Sequence, residues 1–358
     1  MRVHNPQEWI PGWKWEPGKL PGYASRTRGS RLSKKNPPRN YFDIPCALDI
    51  ETSHVEGVDH AYIYHWQMQI GLDTRTIWGN TADDLQAFLR KLANYADPDK
   101  RETWCIYVHN LSYEFCWLKG IYRFDNEEVF ALAPRKICKC TLLDKRLEFR
   151  CSYILTNQSL GSWTKKMGVQ HKKLDSEEYD HSRVRLPWEE LTDEELQYCR
   201  NDVLGLCEAL TVQMARDNDT LATIPLTSTG YVRRDSKRAM QNYSRWAIRK
   251  MQPDEQLHRA LVEAFRGGDT HANRYYAGAI LDGVRSCDRS SSYPDVICNC
   301  RFPMSRFIRQ PRHNLAEIRR LKQLDRAMLI RCRLRNVRLR DPSFRGSRAQ
   351  SEQVPGCD

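Results

Sequence analysis

Ala47-Leu48-Asp49-Ile50-Glu51-Thr52 is the stretch on which the fold turns. It reads as a short buried strand with carboxylates on alternate residues. Side chains of a strand point to opposite faces in turn, so Asp49 and Glu51 share one face while Leu48 and Ile50 take the other. Two acids side by side repel each other and gain nothing from the core behind them. A hard divalent cation held by oxygen ligands offsets that cost. Taken alone, a D-x-E is more often a solvated acidic face, so the reading depends on later stretches supplying further ligands.

Outward from this strand the pattern is that of an α/β domain with a mixed sheet flanked by helices. Ala61 to Gly71 is aromatic and β-branched and predicts a second strand, with Thr74 to Trp78 as a third pairing with it. Thr81, with Asp84 three residues on, caps a helix whose Leu85, Phe88, Leu89 and Leu92 follow the i, i+3, i+4, i+7 rule. Trp104 to Val108 is another buried strand. Ile137 to Tyr153 makes two more around a turn at Leu143-Asp144-Lys145-Arg146. Thr192-Asp193-Glu194-Glu195 is a capping box opening a helix to about Asp217, with Leu196, Cys199, Val203, Leu206 and Leu210 as its buried stripe.

Two of these elements offer the missing ligands. His109 and Asn110 stand at a strand-to-helix junction, a common place for functional side chains. Glu114 opens the helix that follows; the helix dipole alone would favour an acid there, and the alternative is a third oxygen donor facing Asp49 and Glu51. On the late helix Tyr198 and Asp202 are four apart and share a face. A satisfied hydrogen-bonded pair is the ordinary explanation for them. With Asp202 included, four carboxylates would converge, which is tolerable only around divalent cations. Two such ions would make a centre for in-line attack on a phosphodiester, with Tyr198 orienting the water. Lys165, Lys166, Lys172 and Lys173 form a basic patch suited to a phosphate backbone.

The chain has 358 residues, room for two domains, and 57 Lys and Arg against 45 Asp and Glu, a net charge of +12. That surplus favours an anionic partner, of which nucleic acid is the usual one. No run of 18 apolar residues and no signal-peptide segment is present, so a membrane partner is not expected and a cytoplasmic location, in a bacterium or a phage-infected host, is. The 13 cysteines contain no C-x-x-C pair and read as reduced thiols. Residues 1–40, rich in Pro, Gly and basic side chains, read as a flexible arm. A boundary is expected at Pro225 to Tyr231, followed by a basic helical stretch to Met251. Further on, Ala264-Phe265-Arg266-Gly267-Gly268-Asp269 offers glycines that let backbone approach a phosphate. Asp282-Gly283 predicts a hairpin turn.

In three places the motifs resemble the proofreading exonuclease domain of family B DNA polymerases, most nearly the protein-primed type of small bacteriophages and linear plasmids. Asp49-Ile50-Glu51-Thr52, His109 to Glu114 and Tyr198 to Asp202 are similar to its three exonuclease motifs in order. The resemblance implies a ribonuclease H-like fold over 41–225, with Asp49, Glu51, Glu114 and Asp202 as metal ligands for two Mg²⁺ or Mn²⁺ ions. It implies Tyr198 and Lys173 as catalytic residues. Thr52, His109, Asn110, Tyr113, Ser159 and Leu160 would grip a single-stranded 3′ end, with Arg266, Gly267 and Gly268 contacting primer-template DNA. Asp288-Arg289-Ser290-Ser291-Ser292-Tyr293-Pro294 resembles the first polymerase motif, Asp288 binding metal and Ser291 and Tyr293 the nucleotide. Glu114 stands where the family often has Asp, Phe265 replaces a Tyr and Ser292 a Leu. The later polymerase motifs are not found, so 226–358 is read as the start of a truncated palm, and exonuclease chemistry alone is expected. A monomer is expected, and a terminal priming protein is a further partner of the family. The alternatives are a free-standing ribonuclease H-like nuclease and a non-catalytic nucleic-acid-binding module.

Overall fold

The computed structural model describes residues 5–18, 20, 23, 25–29, 37–173, 183–265, 275–276, 278–310, 314–331, 333 and 335–336. They divide into two compact units, Met1–Arg238 and Ala239–Asp358. The first begins with β1 (Trp9–Pro11), β2 (Arg26–Arg28), β3 (Asn40–Phe42), β4 (Cys46–Ser53), β5 (Tyr62–Ile70) and β6 (Thr76–Gly79). It continues with α1 (Ala82–Asn94), β7 (Glu102–Val108), α2 (Leu111–Ile121), β8 (Val129–Ala133), β9 (Lys136–Leu142) and β10 (Leu147–Cys151). Helices α3 (Ser152–Thr156), α4 (Leu160–Met167), α5 (Asp193–Asp217) and α6 (Ser228–Ala239) follow.

The strands form one mixed sheet in the order β1-β6-β5-β4-β7-β10-β9-β8, with β2 on β3 and β3 on β7. Strands β4, β7 and β10 run parallel, while β5 is antiparallel to both β4 and β6. Every residue of β7 is buried, as expected of a parallel strand covered on both faces. The alternation of β4 sorts its side chains between two cores. Leu48 and Ile50 join Trp66, Met68, Phe88 and Leu89 on the side of α1 and α2. Ala47 joins Trp163, Val203 and Leu206 on the side of α4 and α5. Asp49 and Glu51 share Ala47's parity, so they face α5.

The helix ends are fixed by their own sequence. Thr81 accepts a hydrogen bond from the Asp84 amide and starts α1. Thr192 and Glu195 close a capping box at the start of α5. Each such cap is worth about 1 kcal/mol. The α5 stripe is buried as read, which pins the helix across β4 and β5.

Three expectations are corrected. The arm over 1–40 is part of the domain where it is described: β1 pairs in parallel with β6, and Trp9, Ile10 and Trp15 are buried. Large aromatic surface outweighs the breaker-rich composition there. Residues 30–36 lie outside the described residues. The boundary expected at Pro225 to Tyr231 is instead the start of α6, and the units divide after Arg238. Asp282-Gly283 does bend, with Gly283 at φ +69°, but the residues beside it form no paired strands.

In the second unit, α7 (Arg245–Met251), α8 (Glu255–Ala264), α9 (Ser292–Asn299) and α10 (Leu315–Gln323) are the helices among the described residues. None of the described residues of this unit is buried. Among all described residues no helix is long and apolar enough to cross a membrane.

Candidate active site

The three parallel strands end on one edge of the sheet, and in open α/β sheets that edge is where ligands bind. Strand β4 carries Asp49, Glu51 and Thr52 there. After β7 the chain turns abruptly through Asn110, at φ 72° and ψ 54°. Asparagine tolerates this left-handed conformation better than most residues. The turn leaves His109 and Asn110 at the strand end and starts α2. After β10 come Ser152 and Tyr153, and the His109 ring meets both. Its Nδ1 lies 3.0 Å from Ser152 Oγ, and it packs edge-on to Tyr153 at 5.8 Å between centroids.

Across this edge lies α5. Carboxylate oxygens of Asp49, Glu51 and Asp202 all fall within 4.8 Å of one another, a group that could hold a metal ion. Gln67, opposite Asp49 on β5, donates from Nε2 to Asp49 Oδ2 at 2.8 Å and to Glu51 Oε1 at 3.3 Å, fixing both carboxylates. Lys173 donates from Nζ to Asp202 Oδ2 at 2.8 Å, and its ammonium stands 5.0 Å from the centroid of the Tyr198 ring. Burial works to lower the Lys173 pKa, but the charge and hydrogen bond of Asp202, joined by Tyr198, together hold it above its ordinary value. Burial, with the Asp202 charge next, pushes Tyr198 up to about 12.

Glu114 is not one of the three close carboxylates. It projects from the first turn of α2, which packs with Leu48 and Ile50 on the face opposite α5. It is nevertheless 3% exposed, and burial, then the charges of Asp49 and Glu51, hold its pKa well above the usual carboxylate range. The expected four-fold convergence is therefore a triad with Glu114 beside it. Glu114 Oε2 and Asp202 Oδ1 are both buried without a hydrogen-bond partner. Buried orphan oxygens among hard oxygen donors fit a divalent cation, which would satisfy them.

The protonation of the triad follows from the same crowding. Burial first, then Asp49 and Asp202, pushes Glu51 up to about 8. Burial, opposed by Lys173, pushes Asp202 up to about 7. Asp49 is raised by burial against the pull of Lys173. With folded-state values above the ordinary ones, the folded chain binds more protons than the unfolded chain between about pH 4 and 8. This contribution to stability is complete at the acid end and lost as pH rises. The metal-free Tm is expected to fall from about pH 5 to about pH 8, and divalent ions to raise it more at pH 8. Thermal melts with and without Mg²⁺ check this; a metal-induced shift equal at both pH values would exclude it.

The residues expected to grip DNA lie in several places. Thr52 Oγ1 and the Tyr113 hydroxyl hydrogen-bond to each other, and Tyr113 is 43% exposed. Burial, then the Lys173 charge, lowers the His109 pKa to about 4, so its ring is neutral near pH 7. Ser159 is the N-cap of α4, accepting from the Ser162 amide at 3.3 Å, and Leu160 is packed in the α5-side core. Ser152 and Tyr153 stand against His109 at the strand edge. Sequence reasoning missed Gln67 and the closeness of Ser152 to His109. The available signals were buried amides at Gln67 and Gln69 in an otherwise largely apolar strand, and a Ser that follows β10 as His109 follows β7.

Arg266, Gly267 and Gly268 lie outside the described residues. In the second unit Asp288 lies outside any helix or strand, Ser291 is the left-handed residue before α9, and Tyr293 is 70% exposed. The triad around Asp49 is the candidate metal group among the described residues, and Asp288 is not in it.

No protein-family model matches the chain, and no curated protein matches it. Solved structures do. Phi29 DNA polymerase complexed with single-stranded DNA is similar over 65% of this chain and 41% of its own, with a TM-score of 0.50 and 16% identity. The same polymerase with primer-template DNA and incoming nucleotides aligns over the same shares at TM-score 0.49 and 18% identity. The first likeness is one of fold. It meets the α/β, mixed-sheet architecture that the sequence resemblance implied. The chain spans well under half the length of the polymerase it matches.

Proposed function

We propose that the first unit is a metal-dependent 3′→5′ exonuclease acting on single-stranded DNA ends, the proofreading site of a family B DNA polymerase of the protein-primed type. The observation that carries this reading is the Asp49, Glu51 and Asp202 triad with Lys173 paired to Asp202. The fold likeness to a polymerase solved with single-stranded DNA supports it. The +12 net charge suits a polyanion.

In this reading Asp49, Glu51 and Asp202 would hold two Mg²⁺ or Mn²⁺ ions, with Glu114 as a further oxygen donor beside Asp49. When bound, such ions would supply the positive charge needed to acidify a water and steady a leaving 3′ oxygen. The chain's own residues do the rest. Gln67 keeps the Asp49 and Glu51 carboxylates turned to the same side. Tyr198 orients the attacking water, and Lys173 neutralises charge on the scissile phosphate. The linked Thr52 and Tyr113, with neutral His109 and Asn110, receive the terminal nucleotides. A neutral His109 adds no net charge and presents a flat ring to a base. The second unit is read as polymerase palm sequence, with Asp288, Ser291 and Tyr293 its metal- and nucleotide-facing residues.

The test is end-labelled single-stranded DNA incubated with the protein and Mg²⁺ or Mn²⁺. Stepwise shortening from the 3′ end, stopped by a chelator, is expected, and added deoxynucleotides are expected to produce no extension. Binding with no shortening under either ion would leave a non-catalytic module. A preference for RNA ends would move the reading to a free-standing nuclease.

A further inference from the structure

Ser152 opens α3 directly behind β10 and is wholly buried. Its hydroxyl has two partners where β7 and β10 end side by side. Oγ donates to the Val108 carbonyl oxygen at 3.2 Å, and it lies 3.0 Å from Nδ1 of His109. A hydroxyl has one hydrogen to give and can also accept, whereas a carbonyl oxygen can only accept. With the Ser152 hydrogen given to Val108, the His109 contact is made only if Nδ1 carries the proton and donates to Oγ. The opposite order would take the hydroxyl away from the carbonyl of Val108, a wholly buried residue, and buried carbonyls are seldom left without a partner. Burial, then the Lys173 charge, keeps the ring neutral near pH 7. A neutral imidazole has a single N–H, so Nε2 is a bare acceptor. The edge-on Tyr153 ring, 5.8 Å away between centroids, fixes the plane in which it points.

We propose that Ser152 is a positioning residue that locks His109 in the Nδ1–H tautomer, so that Nε2 accepts a hydrogen bond from an O–H or N–H donor on the terminal nucleotide of a DNA strand. The inference rests on the reading of this edge as a site for DNA ends. Among the described residues Nδ1 is the bonded ring nitrogen, which leaves Nε2 for a ligand. Its lone pair repels the oxygens of a phosphate, which seek donors such as Lys173 instead. The ring therefore reads sugar or base, and the phosphate is left to the ammonium. The other tautomer would offer an N–H at Nε2 and compete for the phosphate. One buried hydroxyl that never touches DNA thus decides which part of the nucleotide His109 recognises. Two donors on a terminal nucleotide have this chemistry, the 3′ hydroxyl and the N–H groups of the base. A site that offers a fixed acceptor discriminates against an end lacking the donor, because the acceptor is then left unpaired.

The test is a long-range ¹H–¹⁵N correlation spectrum of the full chain labelled with ¹⁵N-histidine, in which protonated and bare ring nitrogens are distinct. The chain has 10 histidines, so His109 is assigned as the signals missing from His109→Phe. Near pH 7 the wild type is expected to show a proton on Nδ1 and a bare Nε2, and Ser152→Ala to populate the Nε2–H form. A proton on Nε2 in the wild type, or an unchanged ring in Ser152→Ala, overturns the proposal. In cleavage of single-stranded DNA, Ser152→Ala should raise KM about fivefold, the worth of one hydrogen bond, with kcat within about twofold of the wild type. His109→Phe should raise KM by a similar factor, and the double variant no further. Additive losses would mean that Ser152 acts on structure rather than through His109. Strands ending in a dideoxynucleotide or in an abasic site tell the two donors apart, since the penalty vanishes on the end that lacks the donor. A penalty undiminished on both removes the contact. If Ser152→Ala does not fold, the wild-type spectrum and the His109→Phe penalty on these ends decide. A locked Nδ1–H ring and weaker binding of DNA ends by Ser152→Ala, without cleavage by the wild type, would keep this inference and remove the nuclease reading. Normal cleavage with a proton on Nε2 would do the reverse.

Discussion

Asp49→Asn is expected to abolish metal-dependent shortening of DNA while leaving the metal-free protein as stable as the wild type or more so. Losing an outer partner of a metal ligand costs roughly 10- to 100-fold, and a direct ligand is expected to cost more. The amide keeps the size of the carboxylate and can still accept from Gln67 Nε2. What it removes is a negative charge that helps push Glu51 up to about 8 and also raises Asp202. The wild-type triad carries more negative charge near pH 8 than near pH 5, so the variant's Tm at pH 8 should match or exceed the wild-type value. Near pH 5 the difference should shrink, because the crowded carboxylates carry less charge. The Mg²⁺-induced rise in Tm should be lost in the variant. Undiminished cleavage by Asp49→Asn would remove the metal assignment. A variant that melts far lower at pH 8 without metal would show that Asp49 is a structural residue.

That opposition between fold and site is partly visible in the sequence. The parity of Leu48, Asp49, Ile50 and Glu51 says that two acids share a face. The stripe of α5 says which of its residues turn inward, and the two together place Asp202 over β4. Capping signals at Thr81 and Thr192 mark helix starts because those hydrogen bonds are local. Contacts made over long separations leave no such mark. Gln67 is legible as an odd polar residue in β5, but its pairing with Asp49 is set by strand register. Trp9 to Trp15 is hidden by its proline and glycine, although Trp9 is buried beside β6 and Trp15 against α1. Ser159-Leu160 carries a local signature that also caps a helix, and α4 uses it that way. The closeness of Ser152 and Tyr153 to His109 is visible only once the ends of β7 and β10 are seen side by side. Four carboxylates were legible as residue types, but which three converge depends on which face each helix covers.

Gly205→Ala is expected to destabilise the protein, against the sign that helix propensity predicts. In an exposed helix interior, replacing Gly by Ala gains about 1 kcal/mol. Gly205 is in the middle of α5, one turn beyond Asp202, and a Cβ there would lie 2.1 Å from the His171 carbonyl oxygen. That atom is backbone, so the clash can be relieved only by moving the 171–173 segment or the helix. The segment is held on the same stripe of α5 from both sides. Asn201 Nδ2 donates to the Lys172 carbonyl at 2.9 Å, and Glu208 accepts from the His171 amide at 3.0 Å and pairs with its ring at 2.6 Å. Overpacking of this kind costs about 1–3 kcal/mol. For a unit of this size each kcal/mol corresponds to about 2–4 °C in Tm. The same shift displaces Lys173, whose ammonium neutralises Asp202 from the end of this segment. Cleavage per folded molecule should therefore fall as well, whereas a purely structural glycine would lower Tm and leave the rate of the folded fraction intact. Thermal melts and single-turnover cleavage below the melting range separate the two. A Tm equal to or above the wild-type value would mean that the close approach of α5 to His171 is not a feature of the folded protein, and the placement of Lys173 beside Asp202 would fall with it.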